Sequence, residues 1–117
     1  MTESILKLKS YNFAIQIVNL SKYLVNDKKE FILSKQLLKS GTSVGALIRE
    51  AEFAQSKSDF INKMSISLKE ANETDYWLDL LNDTGYLNNS KYDKLKNDCR
   101  ELISILVASI KTSKKNK

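Results

Sequence analysis

The chain has 117 residues, with 19 basic and 14 acidic side chains, no proline, no histidine and one cysteine. That length supports one domain with a modest core. The missing proline permits long helices and argues against a loop-rich or β-sandwich design, and the net charge of +5 is uneven: Lys111, Lys114, Lys115 and Lys117 fall in the last seven residues, and the remaining body is close to neutral.

Along the first segment, Phe13, Ile17, Leu20 and Leu24 form one stripe at helical spacing. Tyr11, Ile15, Val18 and Val25 widen it, which predicts a helix over residues 4–25 buried across a broad arc. The polar residues 26–29 read as a turn. A second helix is expected over 31–53. Leu37, Gly41, Val44, Ile48 and Ala51 recur on one face of it, although the run also holds Ser40, Thr42, Ser43 and Gly45. An interior glycine costs a helix about 1 kcal/mol against alanine. Gly41 and Gly45 therefore read as helix-packing positions, where a neighbouring backbone comes close.

The third helix is predicted over 57–84. Ser56 with Asp59 forms a capping-box pattern at its start, and Gly85 suits the left-handed position that ends it. Its inner face carries Ile61, Met64, Leu68, Ala71 and Leu78. Ile66, Trp77 and Leu80 fall on roughly the opposite side. A monomeric bundle would leave them in water, so they are assigned to an oligomer interface. Ser90 with Asp93 repeats the capping pattern before a fourth helix, expected to run to about residue 111. Tyr92, Leu95, Cys99, Leu102, Leu106 and Ile110 line its buried face. Short connections between long helices favour antiparallel neighbours. The expectation is an all-α, antiparallel up-down-up-down four-helix bundle, one domain over 1–117, with a lysine-rich C-terminal tail over 111–117.

Little in the chain suggests catalysis. Without histidine, the commonest general base and metal ligand is missing. Glu50, Glu70 and Glu73 could meet between the second and third helices as a site for a hard cation, but paired carboxylates on a charged face are the commoner arrangement. Ser40, Thr42 and Ser43 lack a partner base. The run from Gly41 to Gly45 lacks the Gly-Lys-Ser/Thr ending and preceding strand of a phosphate loop. Cys99 sits on an apolar stripe and reads as a core residue. We expect no enzyme, no cofactor and no metal. No apolar run reaches the length of a membrane span. The N-terminus lacks the pattern of a secretion signal, so a cytoplasmic protein is expected.

The lysines point elsewhere. Lys111, Lys114, Lys115 and Lys117, with Lys91 and Lys94, could contact phosphates, and Lys96 and Arg100 add charge on the same helix. Two arginines are few for a protein that reads bases. Any nucleic-acid binding is expected to be non-specific and salt-sensitive. A protein-interaction scaffold with no nucleic-acid role is the alternative.

Four stretches carry a family resemblance: LLKSGTSVGALIREA over 37–51; Ser56, Asp59 and Phe60; SLKEANET over 67–74; and LLNDTGYL over 80–87. In order and spacing they resemble a bacterial four-helix bundle family. Its members include proteins encoded in intervening sequences of large-subunit ribosomal RNA genes. A related branch is the accessory variability protein of diversity-generating retroelements. The resemblance implies a four-helix protomer and a homopentamer. Its retroelement branch implies binding to RNA or DNA and to a reverse transcriptase. The family pattern has Asn where this chain has Leu47 and Gly where it has Ala51, and the near-neutral body differs from the basic accessory branch.

Overall fold

Four helices follow one another through short turns: α1 (Thr2–Asn26), α2 (Leu33–Glu52), α3 (Lys57–Asp83) and α4 (Asn89–Lys115). The computed structural model describes residues 2–116, with side chains from residue 5 onward. Each helix packs on its sequence neighbours, and α4 closes more sparsely on α1. Among the described residues α1 and α3 lie diagonally across the bundle, with no close approach of their backbones. The result is the expected up-down-up-down bundle, a rod of 49 × 21 × 19 Å. Its core stacks Phe13, Ile17 and Leu24 of α1, Leu37 and Val44 of α2, Met64 and Leu78 of α3, and Leu102 and Leu106 of α4.

The helix ends show which local signals decide. Ser56 caps α3 as expected: its hydroxyl accepts from the Asp59 amide at 3.0 Å, and the Asp59 carboxylate accepts from the Gln55 amide at 3.2 Å. At the other end of α3, Gly85 takes φ +87°. The Tyr86 amide donates to Leu81 O and the Gly85 amide to Asn82 O, the paired bonds of a Schellman ending.

Three of the boundaries that differ from the sequence reading have a local physical cause. First, α4 is capped by Asn88 rather than Ser90: the Asn88 side chain accepts from the Lys91 amide at 2.8 Å. Asparagine and serine are near-equal caps, and here the earlier one is used. Second, α4 runs on to Lys115. Lysine is a good helix former and nothing before residue 115 breaks the helix, so most of the expected tail is the last turn of a helix. Third, α2 begins at Leu33 because Phe31 and Ile32 belong to the turn. The Glu30 carboxylate reaches forward instead and accepts from the amides of Ser34 at 2.8 Å and Ile32 at 3.3 Å.

The small residues of α2 let α1 approach it closely. A Cβ added to Gly41 would lie 2.8 Å from both Cγ atoms of the fully buried Ile17 on α1. At Gly45 it would meet the Ser10 carbonyl and hydroxyl oxygens at 3.3 Å. The other flank of α2 meets α3 through hydroxyls. Ser67 donates to Val44 O at 2.8 Å, and Thr74 Oγ1 lies 2.9 Å from Ser40 Oγ. All three side chains are buried, so these bonds remove the penalty of enclosing unpaired polar groups.

The outer face of α1 corrects the sequence reading. Tyr11 and Ile15, expected to be buried, are 54% and 45% exposed, and Ile5 and Leu8 are exposed beside them. A helix apolar on nearly every side gives no periodicity to say which arc faces inward. One protomer covers only the arc between α2 and α4.

Gly41→Ala gains helix propensity of about 1 kcal/mol but forces a methyl into Ile17. Overpacking costs typically about 1–3 kcal/mol, so a net loss is expected in chemical denaturation. Combined with Ile17→Ala, the loss should be smaller than the sum of the two single variants. Strict additivity would mean that these two groups do not meet.

Candidate functional site

The lysines singled out from the sequence fall into two groups at opposite ends of α4. Lys111, Lys114 and Lys115 share one exposed face over its last two turns. Among the described residues none of the three makes an ion pair. Lys117 lies outside the described residues. Lys91 and Lys94 sit in the first two turns, about 30 Å away at 1.5 Å per residue. Lys94 pairs with Asp98 at 3.3 Å, and Lys91 Nζ rests 3.4 Å from the centre of the Tyr23 ring. The six positions therefore do not make one patch.

Lys96 does not belong with them. Its side chain is buried between α3 and α4, with Nζ 2.7 Å from Asp75 Oδ1 and 2.7 Å from Asp79 Oδ1. Tyr92 donates a 2.6 Å bond to the same Asp79 oxygen. Burial works against the charge on Asp79, but the bonds from Lys96 and Tyr92, with the charges of Lys96 and Arg100, outweigh it. The carboxyl is held below its ordinary value. Burial likewise opposes the Lys96 ammonium, and the two aspartates outweigh it and raise its pKa. The bond to Asp79 also pushes the Tyr92 phenol up. A lysine on an otherwise apolar face is neutralised here rather than offered to a partner. The signal lay in the sequence: Asp75 and Asp79 are spaced i, i+4 on the facing helix.

The remaining polar candidates serve the fold. Ser40 lies in the hydroxyl contact with Thr74. Thr42 donates to Leu38 O at 2.7 Å and Ser43 to Lys39 O at 2.6 Å. Glu50 pairs with Lys63 at 3.5 Å, and Glu73 Oε2 accepts from the Trp77 indole at 3.4 Å. Among the described residues no group of three acidic or cysteine side chains is placed to hold a metal ion, so Glu50, Glu70 and Glu73 do not form the cluster considered from the sequence. Cys99 donates to Ala71 O at 3.3 Å. Burial, with the Asp75 carboxylate adding to it, pushes its thiol up to about 12.

Of the expected interface residues, Ile66 is exposed. Trp77 is half-buried against the core, with Tyr76 edge-on at a ring separation of 5.0 Å, and Leu80 is half-buried. An open groove of about 1020 Å³ runs beside Gly45, between Tyr11, Arg49, Phe53 and Lys63. Arg49 lies over the Tyr11 ring at 5.6 Å.

These features define an all-helical bundle whose buried polar groups are spent on packing and whose free chemistry is cationic and aromatic. Among the described residues no helix is long and apolar enough to cross a membrane. The chain belongs to the 23S rRNA-intervening sequence protein family, whose model matches residues 2–108. A crystal structure of a protein of unknown function from the S23 ribosomal protein family, from Bacteroides thetaiotaomicron VPI-5482, is similar throughout. It is 56% identical, the match covers 95% of this chain and 99% of that one, and the TM-score is 0.93. Among curated proteins nothing matches.

Asp79 binds its proton less readily folded than unfolded, so its contribution is present above about pH 4 and is lost as the pH falls. Lys96 has the opposite sign: its contribution is complete below about pH 10 and is lost as the pH rises further. Lys96→Ala should cost about 1–3 kcal/mol in urea unfolding, less than a fully enclosed pair because Asp79 is part-exposed. Asp79→Asn should flatten the acid side of the stability profile. For Cys99, a thiol reagent at neutral pH should react only as fast as the protein opens, and fully in denaturant. Prompt labelling of the native protein would contradict the packing described.

Proposed function

We propose that this protein is a non-enzymatic, homo-oligomeric bundle of the cytoplasm that binds RNA or DNA without reading its sequence. The observation that carries this reading is the lysine triplet Lys111, Lys114 and Lys115, exposed on one face at the C-terminal end of α4 and unneutralised among the described residues. Lysines held this way contact phosphates as point charges. In an assembly the triplet is repeated once per copy, so avidity rises without any new contact. The family's description ties it to 23S ribosomal RNA, which favours RNA as the partner. The pentamer comes to this chain by resemblance to the family, and a reverse-transcriptase partner by resemblance to its retroelement branch.

The exposed apolar surface supports assembly. Ile66, Trp77 and Leu80 lie on α3, while Ile5, Leu8, Tyr11 and Ile15 lie on the outer face of α1. Because α1 and α3 are diagonal in the bundle, two unlike apolar faces point in different directions. Unlike faces suit a heterologous contact, which closes into a ring when the rotation between copies permits. The same surface also favours the alternative, a protein-interaction scaffold in which the lysines matter only for solubility.

Mobility shift with structured RNA across a salt series, run beside light scattering, tests the reading. Binding should weaken steeply with salt, and Lys111→Gln/Lys114→Gln/Lys115→Gln in the full chain should make that dependence shallower. Trp77→Ala should lower the assembled mass more than it lowers protomer stability. Absence of any shift at low salt would overturn the nucleic-acid reading, and an oligomer unaffected by Trp77→Ala would overturn the α3 interface.

A further inference from the structure

We propose that the cleft between α1 and α4, at the end of the rod away from the lysine triplet, is a site for an unpaired nucleotide of a single-stranded nucleic acid, with its base stacked on Tyr23. The cleft encloses about 300 Å³ and is lined by Gln16, Asn19, Tyr23, Ser90, Lys91 and Lys94. It exists because α4 closes on α1 more sparsely than the other helix pairs close on each other. This site rests on the nucleic-acid reading above and gives it a second, chemically distinct contact.

Three observations converge here. Tyr23 is half-buried and packed against the core, so its ring is a fixed platform. Two ammonium groups face that ring, Lys91 at 3.4 Å and Lys28 at 5.9 Å. Neither makes an ion pair among the described residues. A cation over an aromatic face occupies the position a base would take. When a base stacks there, the displaced Lys91 ammonium is left beside the adjoining phosphate, and one residue supplies both halves of the contact. The cleft also offers hydrogen-bonding edges. Gln16 and Lys94 both donate to Asp98 Oδ2, at 3.0 and 3.3 Å, which fixes that wall, while Asn19 and Ser90 are exposed side chains with amide and hydroxyl groups. An aromatic platform with flanking cations and few base-reading groups is the pattern of sequence-tolerant single-strand binding. Duplex RNA, whose bases are paired and stacked, has no free face to offer the ring.

The test uses the full-length protein and a short oligouridine carrying one 5-iodouridine. Photocrosslinking followed by peptide mass mapping should place the adduct on Tyr23. Tyr23→Leu should weaken binding of the oligonucleotide roughly tenfold, the scale of losing one base–aromatic stack. Tyr23→Phe should keep the affinity, and Lys91→Gln should reduce its salt dependence. A duplex of the same length should gain nothing from Tyr23. Uridine monophosphate alone, measured in parallel, should bind weakly but with the same dependence on Tyr23. The site is overturned if the adduct maps elsewhere, or if Tyr23→Leu, folded by circular dichroism, binds the single strand like the unmodified protein. If binding persists in Tyr23→Leu but falls in the Lys111/Lys114/Lys115 variant, the cleft fails while the general reading stands. If no nucleic acid binds at low salt, both fail.

Discussion

The bundle depends on how closely α2 is held between its neighbours. At Gly41 there is no room for a methyl group, because Ile17 of α1 already fills the space a Cβ would take. On the other flank, Ser40 and Val44 meet Thr74 and Ser67 of α3 through hydroxyl contacts. A bulky apolar seam on both sides would hold the helices further apart. Small residues instead let backbones approach, and the hydroxyls keep that approach from enclosing unpaired polar atoms. The glycines lose helix propensity, and packing against α1 offsets it. Because α2 is gripped on both flanks, α1 and α3 become diagonal, and their outer arcs are left facing away from each other.

Most of this architecture could be read from the residues. The spacing of Leu37, Gly41, Val44, Ile48 and Ala51 placed them on one face, and all five are buried. Ser56 and Gly85 marked the two ends of α3 correctly because each acts within a few residues of itself. Signals failed where two equivalent ones competed or where the deciding partner was distant. Asn88 and Ser90 are comparable caps, and only the finished turn selects between them. Glu30 caps α2 by reaching four residues forward, a use no cap preference predicts. On α1, apolar residues on nearly every side hid the fact that Tyr11 and Ile15 face outward.

The candidate site was less legible, for a reason tied to charge. Counting lysines along α4 puts Lys91, Lys94, Lys96 and the C-terminal group in one class. Folding separates them into four: Lys96 enclosed by Asp75 and Asp79, Lys94 paired with Asp98, Lys91 lying on an aromatic ring, and the C-terminal lysines facing water. Linear sequence records that a charge is present, whereas its availability depends on distant residues, Asp75 and Asp79 for Lys96 and Tyr23 for Lys91. Tyr23 illustrates the same point. On its own it is one more aromatic on a broad apolar arc, and only the start of α4 makes it the wall of a cleft.

An even number of antiparallel helices returns the chain to the end from which it set out, so Thr2 and Lys115 lie at the same pole of the rod. Any polypeptide joined before α1 or after α4 would crowd the last-turn lysines and leave the turns at 27–32 and 84–88 clear. An affinity tag is therefore not a neutral addition to this molecule. Placed at either terminus it handicaps one pole of the rod, and a peptide inserted at the α3–α4 turn would handicap the other, which allows the two poles to be masked independently without altering a single native side chain.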